Sequence, residues 1–166
     1  MLAREIMTEH PATVSPDDRA QRAAALMAEY DCGCVPVVEG VGRVIGVVTD
    51  RDLAVRGLAQ GKGPDTPVRE LMTADAECCA ADADVAVVER IMTDRQLRRV
   101  VVVDADHRCL GMIAQADLAR AAEHGRGVSD QEVARIGERI SEPPHVPLDQ
   151  APPRRERVTQ SREWRL

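Results

Sequence analysis

Residues 43–53 read RVIGVVTDRDL, and the same pattern returns 65 positions later as RCLGMIAQADL at residues 108–118. This offset aligns Gly46 with Gly111 and Asp52 with Asp117 without any gap. It also aligns the IMT of residues 6–8 with the LMT of residues 71–73. The chain therefore contains an internal duplication, and two copies of one small unit are expected.

Each copy alternates short apolar runs with segments of helical pattern. Strands are predicted at residues 13–14, 34–38 and 44–48, with second-copy counterparts at 100–103 and 109–113. Helices are predicted from an N-cap at Ser15, and over residues 50–59, 82–94 and 115–123. The expected fold is mixed α/β (α+β), with two β-α-β-β-α repeats. These should pack through their sheets, because one small repeat cannot bury its own sheet face.

Breaker residues divide the chain into four parts. The Gly-Lys-Gly-Pro sequence at 61–64 separates repeat 1, residues 1–63, from repeat 2, residues 64–124. Residues 125–141 are predicted to form an amphipathic helix, with a capping box at Ser129 and Glu132 ahead of Val133, Ile136 and Ile140. Residues 142–166 are rich in Pro and Arg, and we expect this tail to be disordered.

The composition excludes several classes of protein. The 166 residues include no Phe, one Tyr and one Trp, so aromatic platforms for single-stranded nucleic acid are nearly absent. The net charge is -6, and residues 151–166 carry +3, so the first 150 residues carry -9, which disfavours nucleic-acid binding. No membrane-spanning run or secretory signal is found, and the five cysteines lack the spacing of a disulfide scaffold. We expect a cytoplasmic protein.

Each copy resembles a CBS domain, the module named after cystathionine beta-synthase, and the pair resembles the tandem called a Bateman module. The resemblance rests on IMT and LMT, on CVPVV at residues 34–38 and on GVVTDRD at residues 46–52, and it covers about residues 2–122. It implies a regulatory binding module rather than an enzyme, with AMP, ADP, ATP or S-adenosylmethionine in clefts between the copies. It also implies a homodimer and no required cofactor.

The resemblance implies roles for residues that match the family motif. Thr49 and Asp52 in the first copy, and Asp117 in the second, would contact the ribose, since a carboxylate accepts two hydrogen bonds from a cis-diol. The helix N-terminus near residue 50 and Arg51 would favour a phosphate. The candidate ligand-binding residues are Val14, Val35 and Val37 as apolar walls, Thr49, Arg51, Asp52 and Asp117, and Arg98, Arg99 and Val100 at the start of a second-copy strand.

Structural roles compete with these assignments. Thr49 and Asp52 also fit an ordinary helix capping box. Asp117 remains although Ala114 replaces the capping Thr, which we interpret as a sign of another role. Exposed arginines are commonly solvated or paired with local acids. Gly46 and Gly111 could simply allow close strand–helix packing.

Other functions also stay open. The chain could be a structural partner protein whose clefts stay empty, or a redox or metal sensor based on Cys32, Cys34, Cys78 and Cys79. Neither cysteine pair has the spacing of a zinc knuckle, so no metal ligand is assigned. No nucleophile–base pair or phosphate loop indicates catalysis, so no catalytic residue is assigned. A protein target is expected to contact the C-terminal helix or the tail; nucleic acid and membrane are not expected partners.

Overall fold

The computed structural model describes residues 1–124 and 128–142, and it contains two sheets. One sheet has three strands in the order Cys34–Glu39, Arg43–Thr49, Thr73–Ala74, and the other has four in the order Thr8–Glu9, Cys109–Ala114, Arg99–Val103, Cys78–Ala80. Most of the predicted tail lies outside the described residues. The strands are β1 (Thr8–Glu9), β2 (Cys34–Glu39), β3 (Arg43–Thr49), β4 (Thr73–Ala74), β5 (Cys78–Ala80), β6 (Arg99–Val103) and β7 (Cys109–Ala114).

Helices cover the outer face of each sheet, and all the expected helices are present. The second helix starts regularly but continues as a π-helical turn, Leu53–Gly57, and a 3-10 turn, Leu58–Gln60. The helices are α1 (Ala20–Glu29), α2 (Asp50–Asp52), α3 (Val85–Arg95), α4 (Gln115–Glu123) and α5 (Asp130–Ser141). The expected fold of two packed α/β repeats is therefore confirmed.

The short segment that opens each copy joins the sheet of the other copy. Strand β1 pairs with β7, and β4 pairs with β3. Two backbone hydrogen bonds, from Ala3 N–H to Ala83 O at 2.8 Å and from Val68 N–H to Asp18 O at 2.8 Å, hold these segments further. Each folded unit therefore combines residues from both sequence copies, and neither unit is complete without the other.

Strand alternation sorts the apolar side chains into three layers. Val35, Val37 and Val48 face helix α1 in the first core, and Val100 and Val102 face α3 and α4 in the second. The opposite faces of the two sheets meet between the copies, where they bury Cys34, Val44, Val101, Val103 and Met112. This central layer is the packing through sheets that the duplication predicted.

The predicted start of the first helix was wrong. Ser15 caps a turn in which its N–H donates to Asp18 Oδ2 at 2.7 Å, and α1 begins only at Ala20. The first N–H groups of α1 instead donate to the opening segment of the second copy: Ala20 to Thr66 O at 2.8 Å and Gln21 to Pro64 O at 3.0 Å. A contact between the copies therefore replaces the local cap.

The boundaries of two other elements also differ from the prediction. The strand expected at residues 13–14 is reduced to a single bridge between Val14 and Val37. Helix α3 starts at Val85 rather than at residue 82, because Asp84 is its N-cap and accepts from the Ala86 N–H at 2.9 Å.

Helix α5 covers the outer face of the second unit. Its capping box forms as predicted, with the Ser129 N–H donating to Glu132 Oε2 at 2.8 Å. Ile136 and Ile140 are buried in the same cluster as Val88 and Leu118, which belong to α3 and α4. None of the helices within residues 1–124 and 128–142 is both long and apolar enough to cross a membrane.

Candidate functional site

A cleft of about 840 Å³ opens between the two copies at one edge of the central layer. Its apolar lining comes from both copies: Cys34 and Val47 from the first, Val101 and Met112 from the second. Its polar rim combines Thr49, Asp50 and Arg51 with the turn at residues 95–99 and with Thr73, Asp75 and Glu77. An apolar floor with a few converging polar groups is typical of a small-molecule site.

Thr49 and Asp52 hold each other at the start of α2. The Asp52 Oδ2 atom accepts from the Thr49 N–H at 3.0 Å and from the Thr49 hydroxyl at 2.6 Å. The Asp52 N–H in turn donates to Thr49 Oγ1 at 3.1 Å. The predicted capping box is therefore present, and it ties Asp52, which is not itself among the residues that line the cleft, to Thr49, which is.

Arg56 forms an ion pair with Oδ1, the second oxygen of the Asp52 carboxylate. Its Nε lies 3.4 Å from Asp52 Oδ1, and its Nη1 donates to the carbonyls of Leu71 at 3.0 Å and Met72 at 2.7 Å. Arg56 thus joins α2 to the opening segment of the second copy. A ribose diol at Asp52 would share the carboxylate with Arg56 or displace it.

The cleft carries four arginines, and three of them form no ion pair with another described residue. Arg95 Nε lies 2.9 Å from Glu77 Oε1, whereas no such pair is found for Arg51, Arg98 or Arg99. The carboxylates among the described lining residues are those of Asp50, Asp75 and Glu77, so the formal charge of this described lining is positive by one. The structure therefore brings the three predicted arginines together on the rim.

Arg99 and Asp50 approach each other from opposite copies around Gly33. A Cβ atom placed on Gly33 would stand 2.8 Å from Asp50 Oδ2 and 3.3 Å from Arg99 Nη2. The absence of a side chain at Gly33 therefore leaves room for both groups. An anion entering here would meet Arg99 directly, and Asp50 is the acidic group with which it would compete.

Asp117 lies in a different place from the main cleft. Together with Glu5, Ile6, Met7, Arg120, Ala121 and His124 it lines a smaller cavity of about 260 Å³. The side chain is buried, and its carboxylate accepts from the Ala114 N–H at 2.6 Å and pairs with Arg120. Asp117 thus keeps half of the capping box without a Thr, so its presence alone is not a sign of ligand binding.

The four candidate valines do not line the 840 Å³ cleft. Val14, Val35 and Val37 are at most 1% exposed and pack in the first core, and Val100 is fully buried in the second. The strand was predicted, but the face of it that lines the cleft was not: Val35 and Val37 of β2 pack with residues of α1, whereas Cys34 lines the cleft.

Sequence reasoning missed several residues of the site. Asp75, Glu77, Arg95 and Gln96 line the cleft, and Arg56 buttresses Asp52. Asp50 and Cys34 also line the cleft. The sequence predicts Asp50 as part of a helix start and Cys34 as part of a possible redox site, but neither as a ligand-binding residue. The signal for residues 95–99 was the cluster of three arginines that ends α3 and opens β6. The exchange of opening segments, which brings residues 73–77 to this cleft, has no local signal.

The cysteines have the properties of packing residues. Burial raises the pKa of Cys34 to about 12, although nearby Arg99 opposes the shift. Burial likewise raises the pKa of Cys78, Cys79 and Cys109 to about 11. Among the described residues, no group of three or more His, Cys, Asp or Glu side chains is placed to hold a metal ion. These thiols are poor nucleophiles near neutral pH.

Comparison with known proteins identifies the repeated unit. The family model for the CBS domain matches residues 3–57 and again residues 68–124. The chain is 38% identical over 116 residues to the CBS domain-containing protein YhcV of Bacillus subtilis (strain 168), an alignment that covers 70% of this chain and 81% of YhcV. Both matches extend over the two copies.

Solved structures with the same architecture carry different ligands. The crystal structure of Hypoxic Response Protein I, with two coordinated zinc ions, has a TM-score of 0.67 and 35% identity, and covers 72% of this chain and 98% of that one. The CBS domain pair of protein MJ0100, in complex with 5'-methylthioadenosine and S-adenosyl-L-methionine, has a TM-score of 0.69 and 25% identity, and covers 75% of this chain and 98% of that one.

Proposed function

This chain belongs to the CBS domain family, with two copies of the domain in tandem, and we propose that it is a regulatory module that binds an adenine nucleotide in the cleft between its copies. The observation that supports this proposal most is the meeting of Thr49, Arg51, Arg98 and Arg99 around one cavity, with the Asp52 carboxylate hydrogen-bonded to Thr49. The carboxylate would bind the ribose diol, and the arginines would bind phosphate.

The adenine ring would lie on the apolar floor of the cleft. Cys34, Val47, Val101 and Met112 offer aliphatic and sulfur contacts to a flat ring, and no aromatic residue within 1–124 and 128–142 lines the cleft. Exposed backbone groups of the rim would read the edge of the base. This division into an apolar floor and a charged rim matches the two ends of a nucleotide.

The charge of the cleft favours AMP, ADP or ATP over S-adenosylmethionine. The sulfonium and ammonium groups of S-adenosylmethionine would approach a rim that is positive by one and has three arginines without an ion-pair partner among the described residues. A phosphate gains charge-assisted hydrogen bonds from the same groups. The complex reported for MJ0100 makes S-adenosylmethionine the natural competitor to test.

We propose further that the module acts in the cytoplasm as a homodimer and signals to a protein target rather than catalysing a reaction. Two exposed apolar side chains on the second helix, Val55 at 48% and Leu58 at 76%, are candidates for a dimer contact. Ligand binding would act by favouring one arrangement of the two copies over another, through its different affinity for each. The binding step has to be tested first.

A thermal-melt screen tests this proposal. We expect AMP, ADP or ATP at about a hundred times its dissociation constant to stabilise the wild-type protein by roughly 2.7 kcal/mol, or about 5–10 °C for a chain of this size. S-adenosylmethionine should give a smaller shift. The shift should fall in Arg98→Ala and remain in Arg22→Ala, which removes the same charge from the exposed face of α1. Melting temperatures indifferent to all four compounds would favour the structural partner protein with empty clefts.

A further inference from the structure

The turn at residues 95–99 is shared between the cleft and helix α5. Gln96, Arg98 and Arg99 line the cleft. The side-chain Nε2 of Gln96 also donates to the backbone carbonyls of Arg139 at 3.1 Å and Glu142 at 3.2 Å. The last carbonyls of a helix have no partner within the helix, so Gln96 caps the C-terminus of α5 from outside.

Gln96 is held in one backbone conformation. It ends α3 with φ +52°, in the left-handed region, and its N–H donates to Met92 O. The Leu97 N–H donates to the same carbonyl at 2.9 Å. The left-handed region costs conformational free energy for any residue other than glycine. The hydrogen bonds of Gln96 and Leu97 therefore stabilise this shape of the turn. That shape presents Arg98 and Arg99 to the cleft.

A second connection runs through Gln115. Its N–H donates to Arg98 O at 3.0 Å. Its side-chain Nε2 would lie 3.1 Å from a Cβ atom at Gly137, so α5 packs closely on this amide. Arg98 is therefore linked to α5 on both sides, through Gln96 two residues before it and through Gln115 at its carbonyl.

We propose that α5 is the output element of the cleft, and that nucleotide binding and α5 docking stabilise each other through the turn at residues 95–99. The same conformation of the turn serves both partners: it presents Arg98 and Arg99 to a phosphate and presents Gln96 to α5. Whichever partner binds first orders the turn, so the second loses less conformational entropy. Such coupling is reciprocal, and α5 docking must strengthen nucleotide binding by the same factor. This inference rests on the proposed function for its ligand.

The first test needs no ligand. Ile140 is 8% exposed, lies in the second core and does not line the cleft, so Ile140→Ala should loosen α5 in the full chain without touching the site. We expect hydrogen exchange of the Leu97 and Gln115 amides to accelerate at least fivefold. The matched control is Leu26→Ala, which shortens a buried leucine of the first core. Exchange at both amides unchanged from wild type in Ile140→Ala would overturn the inference.

The second test is a double-mutant cycle measured with AMP. Ile140→Ala alone and Gln96→Ala alone should each weaken AMP binding about fivefold. In a Gln96→Ala background, however, Ile140→Ala should have a clearly smaller effect, because one of the two connections is already cut. Equal losses from Ile140→Ala in both backgrounds would overturn the coupling. If AMP does not bind the wild type, the proposed nucleotide fails, whereas the exchange experiment still decides whether α5 orders the turn.

Discussion

At the residue scale, one carboxylate at the start of a helix is both a helix cap and the proposed ribose contact. Asp52 closes a capping box with Thr49 and at the same time stands beside the cleft rim, whereas Asp117 caps α4 inside a smaller cavity. The motif was visible in the sequence, and so was its structural alternative. Only binding measurements separate the two roles of Asp52, because both use the same oxygen atoms.

Asp52→Asn tests this dual role. The amide oxygen still accepts from the Thr49 N–H, but the charge and the pairing with Arg56 are lost. We expect a stability loss of about 1 kcal/mol and a loss of nucleotide affinity of tenfold or more, since hydrogen bonds to charged groups contribute roughly 1.5–3 kcal/mol.

The control for Asp52→Asn is Asp84→Asn. Asp84 caps α3 through the Ala86 N–H at 2.9 Å, and neither residue lines the cleft, whereas Thr49, the capping partner of Asp52, does. It should lower stability and leave the affinity unchanged. Calorimetric titration with AMP, ADP or ATP, together with urea unfolding, separates the two effects. If both variants keep wild-type affinity, Asp52 is a helix cap only.

Cys34 gives a second prediction at this scale. Burial raises its pKa to about 12, so the thiol is almost entirely protonated at pH 8. We expect iodoacetamide to leave Cys34 unmodified in the folded protein and to modify it in 6 M guanidinium, as read by mass spectrometry. Rapid modification in the folded state would contradict this prediction and favour the alternative in which the cysteines form a redox sensor.

The sequence predicts some of the charged residues of the cleft, but not Asp75, Glu77 or Arg95 and not the residues that form its floor. Of the lining residues, Thr49, Arg51, Arg98 and Arg99 follow from the duplicated motif and its flanks. The floor depends on which face of β2 turns toward the other copy. Both faces of this strand are apolar, with Cys34 and Val35 each buried, so alternation gives no polar face by which to orient it.

At the element scale, two glycines mark where the opening segments cross. A Cβ atom on Gly46 would collide with the carbonyl of Thr73 and lie 3.3 Å from Ala74 Cα, and one on Gly111 would reach Thr8 O at 2.9 Å. Both neighbours belong to the exchanged strands β4 and β1. The expectation of strand–helix packing at these glycines was therefore wrong, since the close approach is between strands.

Gly46→Ala should destabilise the protein by about 1–3 kcal/mol, because the added methyl group meets backbone that cannot move aside easily. Gly63→Ala is the matched control: a Cβ there has no neighbour within 4 Å, and Gly63 is not among the positive-φ residues. Urea unfolding of both variants measures the difference. Equal stabilities would mean that the opening segment does not pack on β3 as described.

The exchange also explains why element boundaries were harder to predict than element types. The cap at Ser15 was a reasonable local signal, but α1 takes its first hydrogen bonds from residues 64–66 of the other copy. A contact between positions so far apart in the chain leaves no periodic signal. Helix α4, by contrast, has the predicted bounds, Gln115–Glu123, because its start lies directly after a strand of the same copy.

At the scale of the whole molecule, the acidic chain contains a cleft of the opposite sign. The net charge is -6, yet the lining of the 840 Å³ cleft is positive by one. Surrounding acidic residues disfavour long polyanions, whereas a small anion can enter the cleft. The duplication explains why the cleft lies between the copies. Arg98 and Arg99 of the second copy lie near the start of α2 in the first copy only where the two units pack together.

The most direct test of nucleotide recognition is a calorimetric titration of the full chain with ADP, run beside one with S-adenosylmethionine in 150 mM salt. We predict saturable binding of ADP that is weakened at least tenfold in Arg98→Ala and left unchanged in Arg22→Ala, with S-adenosylmethionine binding more weakly than ADP. Tight S-adenosylmethionine binding without ADP binding, or no saturable heat from either compound, would contradict the assignment of this cleft to an adenine nucleotide.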